Sequence, residues 1–377
     1  MSEHPTSLTL LGSEHPQTIA APATFDLILR EIAVAKESIE IFMYVWRSDK
    51  IGNEVATAVL AAADRGVKIR IIKDIGAFLF ERIEMNRKSL FNRPLPTLKR
   101  IVYKLITPTF PKTYVKDDHT DELGHKLIAH PNVTVDWVNE THTKYYLFDD
   151  RLLITGSINI EDRHFGYYDY MLALDDPAIV SRFRQRARGE VPHDPSLPVD
   201  FLSNSHRPDG SVFEIKPETL RLIECAEQSI YVEMAYLGDE EVTAAFIAAA
   251  KRGVKVTFLF SKEANIGNDL NYRTIQEIHT AADVSVHLTE TMIHSKLMMI
   301  DDHTILTGSA NLSVFSMQKS EELDLIIHDH PALITALQDV ITKRLAASPP
   351  VTSPDQLSHF RPLLAALQQW HQKKNPN

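Results

Sequence analysis

Two blocks of the chain run through the same order of hydrophobic periods. In the first, Leu27, Ile28, Ile32 and Ala35 recur at the spacing of one helix face. Ser38 to Trp46 follows as a strand, Ile51 to Arg65 as an alanine-rich helix, and Val67 to Asp74 as a second strand. The order returns at Thr219 to Lys262, where Glu227-Gln-Ser229-Ile230 echoes Lys36-Glu-Ser38-Ile39 and Arg252-Gly253-Val254 echoes Arg65-Gly66-Val67. Each glycine stands just past a helix, where a left-handed cap is needed. Strands alternating with helices predict parallel pairing through helical crossovers, hence an α/β protein whose scaffold is written twice.

A third pattern follows each block. His142-Thr-Lys144-Tyr-Tyr-Leu-Phe-Asp149 continues to Gly156-Ser157-Ile-Asn159, and His294-Ser-Lys296-Leu-Met-Met-Ile-Asp301 continues to Gly308-Ser309-Ala-Asn311, with identical spacing. Both read as strand, tight turn and returning strand. Alternation puts His and Lys on one face, and the paired aspartates suit the turn. Each copy can gather an imidazole, an ammonium, a hydroxyl and a carboxamide around one point, a set suited to a phosphate.

These copies resemble the paired HKD motifs of the phospholipase D superfamily, matching at every signature position, and in outline the chain is similar to bacterial cardiolipin synthase-like phosphatidyltransferases. The resemblance implies two similar phospholipase D-like halves of mixed, largely parallel sheets flanked by helices, in a pseudo-twofold arrangement with one active site at their interface. It implies a covalent phosphohistidine, with His142 as nucleophile and His294 as general acid and then base. The near-symmetry of the sequence leaves the opposite assignment open. Lys144, Lys296, Asn159 and Asn311 are expected on the non-bridging oxygens, while Ser157 and Ser309 either add donors to the phosphate or close their turns. Each histidine needs an acceptor for its other nitrogen, and Asp169 and Glu322 fit, with Glu321 as the alternative to Glu322. Asp149 and Asp301 are expected to hold turns. The chemistry needs no metal or cofactor.

Composition narrows the class. Of 377 residues, 44% are hydrophobic and 24% charged, as in globular proteins. The net charge of −10 disfavours a general nucleic-acid binder. No apolar run reaches the length of a membrane span and the amino-terminal segment has no secretory pattern, which predicts a cytoplasmic protein, peripheral on the inner face of the membrane. The single cysteine, Cys225, is expected in the core.

The two repeats differ by an insertion. Gly66 to His142 spans 76 residues and Gly253 to His294 spans 41, a difference of 35, most of it within 77–116. That segment has nine basic residues against two acidic ones, a net of +7. Within it Leu98, Ile101, Val102 and Leu105 recur at helical spacing opposite Lys99, Arg100 and Lys104, which reads as a basic amphipathic helix on an anionic membrane. A core-covering helix with solvated lysines and a nucleic-acid contact are the other readings. Prolines through 188–216 predict a linker of little regular structure, hence halves of 1–200 and 201–350 followed by a tail of 351–377. In that tail Leu357, Phe360, Leu363, Leu364 and Leu367 are expected on one side of a helix packed on the body. His119, His125 and His130 have no zinc spacing and are read as non-functional.

The expected substrate is a phospholipid, with an alcohol or water as acceptor. Cardiolipin synthase-like phosphatidyl transfer leads, hydrolytic phospholipase D action is the alternative, and a nuclease is the alternative of another class.

Overall fold

The computed structural model describes residues 8–11, 21–77, 88–91, 120–207, 210–265 and 268–374. Lys99, Arg100, Lys104, Leu98, Ile101, Val102 and Leu105 lie outside them. In the first half the elements run β1 (Leu8–Leu11), α1 (Ala21–Val34), β2 (Ser38–Met43), β3 (Arg47–Ser48), α2 (Lys50–Asp64), β4 (Lys68–Asp74), β5 (Lys88–Ser89), α3 (Glu122–Ala129), β6 (Val133–Val138), β7 (Tyr145–Phe148), β8 (Leu152–Gly156), β9 (Met171–Leu174) and α4 (Pro177–Ala187). In the second they run β10 (Val199–Arg207), β11 (Gly210–Phe213), α5 (Ile215–Cys225), β12 (Ser229–Met234), α6 (Glu240–Lys251), β13 (Lys255–Ser261), α7 (Asn268–Ala281), β14 (Ser285–Thr289), β15 (Lys296–Ile300), β16 (Thr304–Gly308), α8 (Val314–Gln318), β17 (Glu322–His328), α9 (Pro331–Ala346) and α10 (Pro362–Lys374).

The first sheet has the order β1-β9-β8-β7-β2-β4-β6 and the second β11-β10-β17-β16-β15-β12-β13-β14. Both are mixed. Parallel pairs are confined to the arm built by helical crossovers, β2-β4-β6 and β12-β13-β14. The remaining pairs are antiparallel, more than βα alternation predicted, because each motif folds as a hairpin set against β2 or β12 and extended outward on the far side.

The repeat extends to capping. Asp49 caps α2 by accepting from Gly52 N, and Asp239 caps α6 by accepting from Glu241 N and Val242 N. Gly66 and Gly253 take φ of 97° and 96°, the left-handed conformation that costs glycine little.

One apolar core fills each half and a third lies between them. In the first, Phe25, Ile28 and Ile32 of α1 and Val55 and Val59 of α2 pack beneath Ile39, Ile41, Tyr146 and Phe148. Phe246, Phe258, Ile275 and Met298 anchor the second. The third joins Tyr145, Leu147, Leu153 and Leu172 to Leu297, Met299, Ile305 and Leu325, so the sheets meet face to face. Both faces of β7 and β15 are therefore buried, one under helices and one against the other sheet.

Three local expectations are corrected. Residues 199–207 and 210–213 of the expected linker form β10 and β11, because Val199–Asn204 complete the ladder beside β17 despite the nearby prolines. Cys225 is exposed, since it ends α5 and Ala226 takes the buried position instead. The tail does not form one helix. Leu357 is buried in a short 3-10 turn (Pro354–Leu357), whereas Leu363 and Leu367 on α10 point outward, at 89% and 51% exposure.

Candidate active site

Each motif folds as a hairpin with a three-residue connection, 149–151 between Phe148 and Leu152 and 301–303 between Ile300 and Thr304. Asp149 and Asp150 have φ of 50° and 47°, and Asp301 and Asp302 have 50° and 58°, the positive pair that matches the twist of the flanking strands. The first aspartate of each pair also reaches across the sheet. Asp149 accepts from the backbone N–H of Lys36, Glu37 and Ser38 at 2.8–2.9 Å, and Asp301 from those of Glu227, Gln228 and Ser229 at 2.7–2.9 Å. Slight burial would raise their carboxyls, but the three donors outweigh it and hold both below the usual range. These aspartates thus lock the hairpin to the entry of β2 or β12.

The histidines are docked on the opposite half. His142 N donates to Glu321 O at 2.7 Å, and His294 N to Tyr168 O at 2.9 Å. The side chains cross in the same way. His142 Nδ1 lies 2.9 Å from Ser309 O and 3.2 Å from Glu322 Oε2, while His294 Nδ1 lies 2.8 Å from Asp169 Oδ2. A carbonyl only accepts, so His142 carries its proton on Nδ1 and leaves the Nε2 lone pair bare. The two candidate acids therefore each serve the histidine of the other repeat. Glu321, the alternative, is spent on His206 N at 3.0 Å.

Both lysines are buried, at 0% and 2% exposure. Lys144 Nζ donates to His142 O at 2.6 Å and sits 5.4 Å from the Tyr44 ring centroid, while Lys296 Nζ donates to His294 O. Among the described residues neither ammonium has a carboxylate within ion-pair distance. Burial, followed by repulsion from Lys296, lowers Lys144 to about 7, and burial lowers Lys296 to about 8. Burial and the charge on Lys144 take His142 down to about 4, and burial with Lys296 holds His294 well below its ordinary value. Two buried cations within each other's field, flanked by neutral imidazoles, form a site for an anion.

The carboxamides differ. Asn159 Oδ1 accepts from Val45 N at 3.2 Å, which turns its amide nitrogen toward His164 Nε2 at 3.3 Å. Asn311 Oδ1 is buried without a protein partner. The serines, expected either to add donors to the phosphate or to close their turns, are bonded to the acids. Ser157 gives its hydroxyl proton to Asp169 and Ser309 to Glu322, the latter at 2.6 Å, so both orient the acids.

His164 was missed in the sequence. It is fully buried, with Nδ1 2.8 Å from Asp169 Oδ2 and its ring edge-on to His294 at 4.7 Å. Its signal was slight, a histidine two residues past the Glu161-Asp162 that follow the first motif. Burial alone would raise Asp169, but His294 and His164 outweigh it and keep the carboxyl well below its usual range. Among the described residues, His164, Asp169 and His294 are also the one group whose possible metal-ligand atoms lie within 4.8 Å of one another. Their contacts are those of a carboxylate accepting from two imidazoles. His130 pairs with Asp64 at 3.2 Å, far from this cluster in the fold, and His119 lies outside the described residues.

Comparison with known proteins agrees with this geometry. Residues 28–189 and 219–345 match the family model described as cardiolipin synthase, PLD-like domain, one segment for each motif. Cardiolipin synthase of Staphylococcus aureus (strain Mu50 / ATCC 700699) is 22% identical over 355 residues, covering 87% of this chain and 66% of its own. Cardiolipin synthase B of Shigella flexneri is 22% identical over 340 residues, covering 81% of this chain and 74% of its own. The chain thus spans just under two thirds of the staphylococcal relative. Among solved structures, phosphatidylserine synthase of Haemophilus influenzae Rd KW20 overlays with a TM-score of 0.65, covering 97% of this chain and 93% of that one at 12% identity. Polyphosphate kinase from Porphyromonas gingivalis overlays at 0.53, covering 90% and 50%, also at 12% identity. At such identities the overlays show a common fold.

Proposed function

The chain belongs to the cardiolipin synthase, PLD-like domain family of the phospholipase D superfamily, and from that premise we propose that it transfers a phosphatidyl group from one phospholipid to an alcohol through a phosphohistidine. The observation that carries this reading is the pair of buried lysines, with no ion-paired carboxylate among the described residues, beside two histidines oriented from opposite halves.

In the first step His142 Nε2 attacks phosphorus, the bond to the leaving alkoxide breaks, and His294 Nε2–H delivers the proton to that oxygen. Bringing an anionic phosphodiester between Lys144 and Lys296 reverses the local field and favours the imidazolium that His294 needs. In the second step the acceptor hydroxyl gives its proton to His294 Nε2 as its oxygen attacks phosphorus, and the P–N bond breaks to restore His142. Lys144, Lys296, Asn159 and Asn311 neutralise the non-bridging oxygens through both steps. Asp169 and Glu322 hold the rings so that Nε2 faces the phosphorus.

The test is product analysis with phosphatidylglycerol vesicles and, separately, single-stranded DNA. Cardiolipin and glycerol that vanish in His142→Ala support the proposal. Phosphatidic acid alone would make water the acceptor, and DNA cleavage without lipid turnover would overturn the substrate class.

A further inference from the structure

Helix α10 is amphipathic the wrong way round for a helix docked on a protein. Its inward face is small and polar: Ala365 is fully buried, Gln368 accepts from Leu270 N at 3.0 Å, and Gln369 bonds Arg273 and Glu240. Leu363, Leu367 and Trp370 recur at i, i+4 and i+7 on the other side and are 89%, 51% and 52% exposed. Of the six exposed large apolar side chains among the described residues, three lie on this one stripe, and Phe315 of α8, which packs against α10, is another at 37%.

The stripe lies at the active-site end of the second half. Strand β15 begins at Lys296, opposite Met234 at the carboxy end of β12. The partners of α10 follow the carboxy ends of the same strands: Lys373 pairs with Glu240 after β12, and Arg361 with Asp269 at the start of α7 after β13. Lys319 Nζ reaches Lys373 O at 2.9 Å, three residues before Glu322. Residues 358–374 contain no Asp or Glu in a chain of net −10, so no carboxylate of the helix itself flanks the stripe.

We propose that α10 is an interfacial helix that seats the mouth of the site on an anionic bilayer, with Leu363, Leu367 and Trp370 entering the headgroup boundary. This rests on the phospholipid reading above and names the surface from which that substrate is drawn. The apolar stripe supplies insertion, the tryptophan suits the depth of the headgroups, and a helix without carboxylates does not repel anionic lipid. The same end of the fold then faces both the bilayer and the buried lysines, so a phosphodiester can reach them while its acyl chains stay in lipid.

The experiment uses the full chain with vesicles of phosphatidylcholine, with and without phosphatidylglycerol. The parent should co-sediment with phosphatidylglycerol vesicles, and vesicles with brominated acyl chains should quench a component of its tryptophan fluorescence that Trp370→Phe lacks. Leu363→Ser/Leu367→Ser/Trp370→Ser should weaken vesicle binding at least about tenfold, yet turn over a short-chain phospholipid below its micellar concentration as the parent does. Undiminished vesicle binding by the triple variant would overturn the proposal. So would a parent dimer that the triple variant dissolves while vesicle binding is unchanged, since the stripe would then be an interface between copies. If neither protein turns over the monomeric lipid but binding still depends on the stripe, the docking face stands and the substrate reading fails.

Discussion

Replacing Asp169 with Asn should harm catalysis far more than replacing Glu322 with Gln, although the two acids hold equivalent places. Every lone pair that Asp169 presents is used: Oδ1 takes the Ser157 hydroxyl and Tyr170 N at 3.0 Å, and Oδ2 takes the Nδ1 atoms of His164 and His294 at 2.8 Å each. An amide must put its NH2 against donors on one side or the other. Facing the histidines, it moves the His294 proton to Nε2 and removes the charge that stabilises the imidazolium. With charge centres about 4 Å apart and an effective dielectric near 20, that charge contributes about 4 kcal/mol, or roughly a thousandfold in rate. Glu322 differs because its Oε1 is buried without a partner and only Oε2 is used, by Ser309 and His142. A glutamine can leave its oxygen at Oε2 and place NH2 in the idle position, and Ser309 O at 2.9 Å still holds the His142 proton on Nδ1. The loss should then be about ten- to a hundredfold. The assay is kcat for phosphatidylglycerol turnover, with circular dichroism melts showing that both variants fold. A Glu322→Gln loss equal to or larger than that of Asp169→Asn would refute the reasoning.

The free-enzyme pH profile should be bell-shaped and acid-shifted. His142 must be neutral to attack and so gains activity as pH rises through about 4, while the lysines must be charged and lose it as pH rises through about 7 and about 8; kcat/KM measured from pH 3 to 10 checks this. A flat profile between pH 6 and 9 would contradict it. Asp149→Ala or Asp301→Ala should destabilise the fold by about 1.5–3 kcal/mol through loss of charged hydrogen bonds, read by chemical denaturation. Because both carboxyls are depressed in the folded state, that stabilisation is complete above their ordinary value and is lost as pH falls through the folded one; the gap between parent and variant should therefore close below about pH 4. His164→Asn, whose amide can still donate to Asp169, should retain more kcat than His164→Ala, and the alanine variant should raise KM as well because Asn159 loses its neighbour at 3.3 Å. Equal losses in both parameters for the two variants would reduce His164 to a packing role.

Much of this was legible because it is local. The hairpins follow from alternation and from paired aspartates that tolerate positive φ, and the capping glycines from the ends of apolar periods. The acid crossing was not legible, because Asp169 and Glu322 have equal claims on either histidine until the third core sets β7 against β15. His164 escaped because a lone histidine carries no periodicity, and its role depends on a carboxylate five residues away folding back over it. The tail misled for a geometric reason: Ser358 to Arg361 interrupts the helix, so Leu357 and Leu363 do not share a face although their spacing resembles one.

The crossing also bears on how a duplicated chain can divide labour between near-identical histidines. Each half supplies a motif histidine and lacks the acid for it, so neither His142 nor His294 is paired with an acid of its own half. The asymmetry then lies in what else touches each ring. His142 shares its Nδ1 proton between Glu322 and a backbone carbonyl that cannot titrate, an arrangement that keeps the ring neutral with its lone pair outward, as a nucleophile requires. His294 has no such carbonyl partner for Nδ1; its proton rests on Asp169, whose anionic form is reinforced by His164, so the charged ring is the state with most to gain when a phosphate offsets Lys296. Under the proposed mechanism this asymmetry supports a nucleophile from the first repeat and a proton donor from the second, with Ser309 O and His164 marking where the two repeats cease to match.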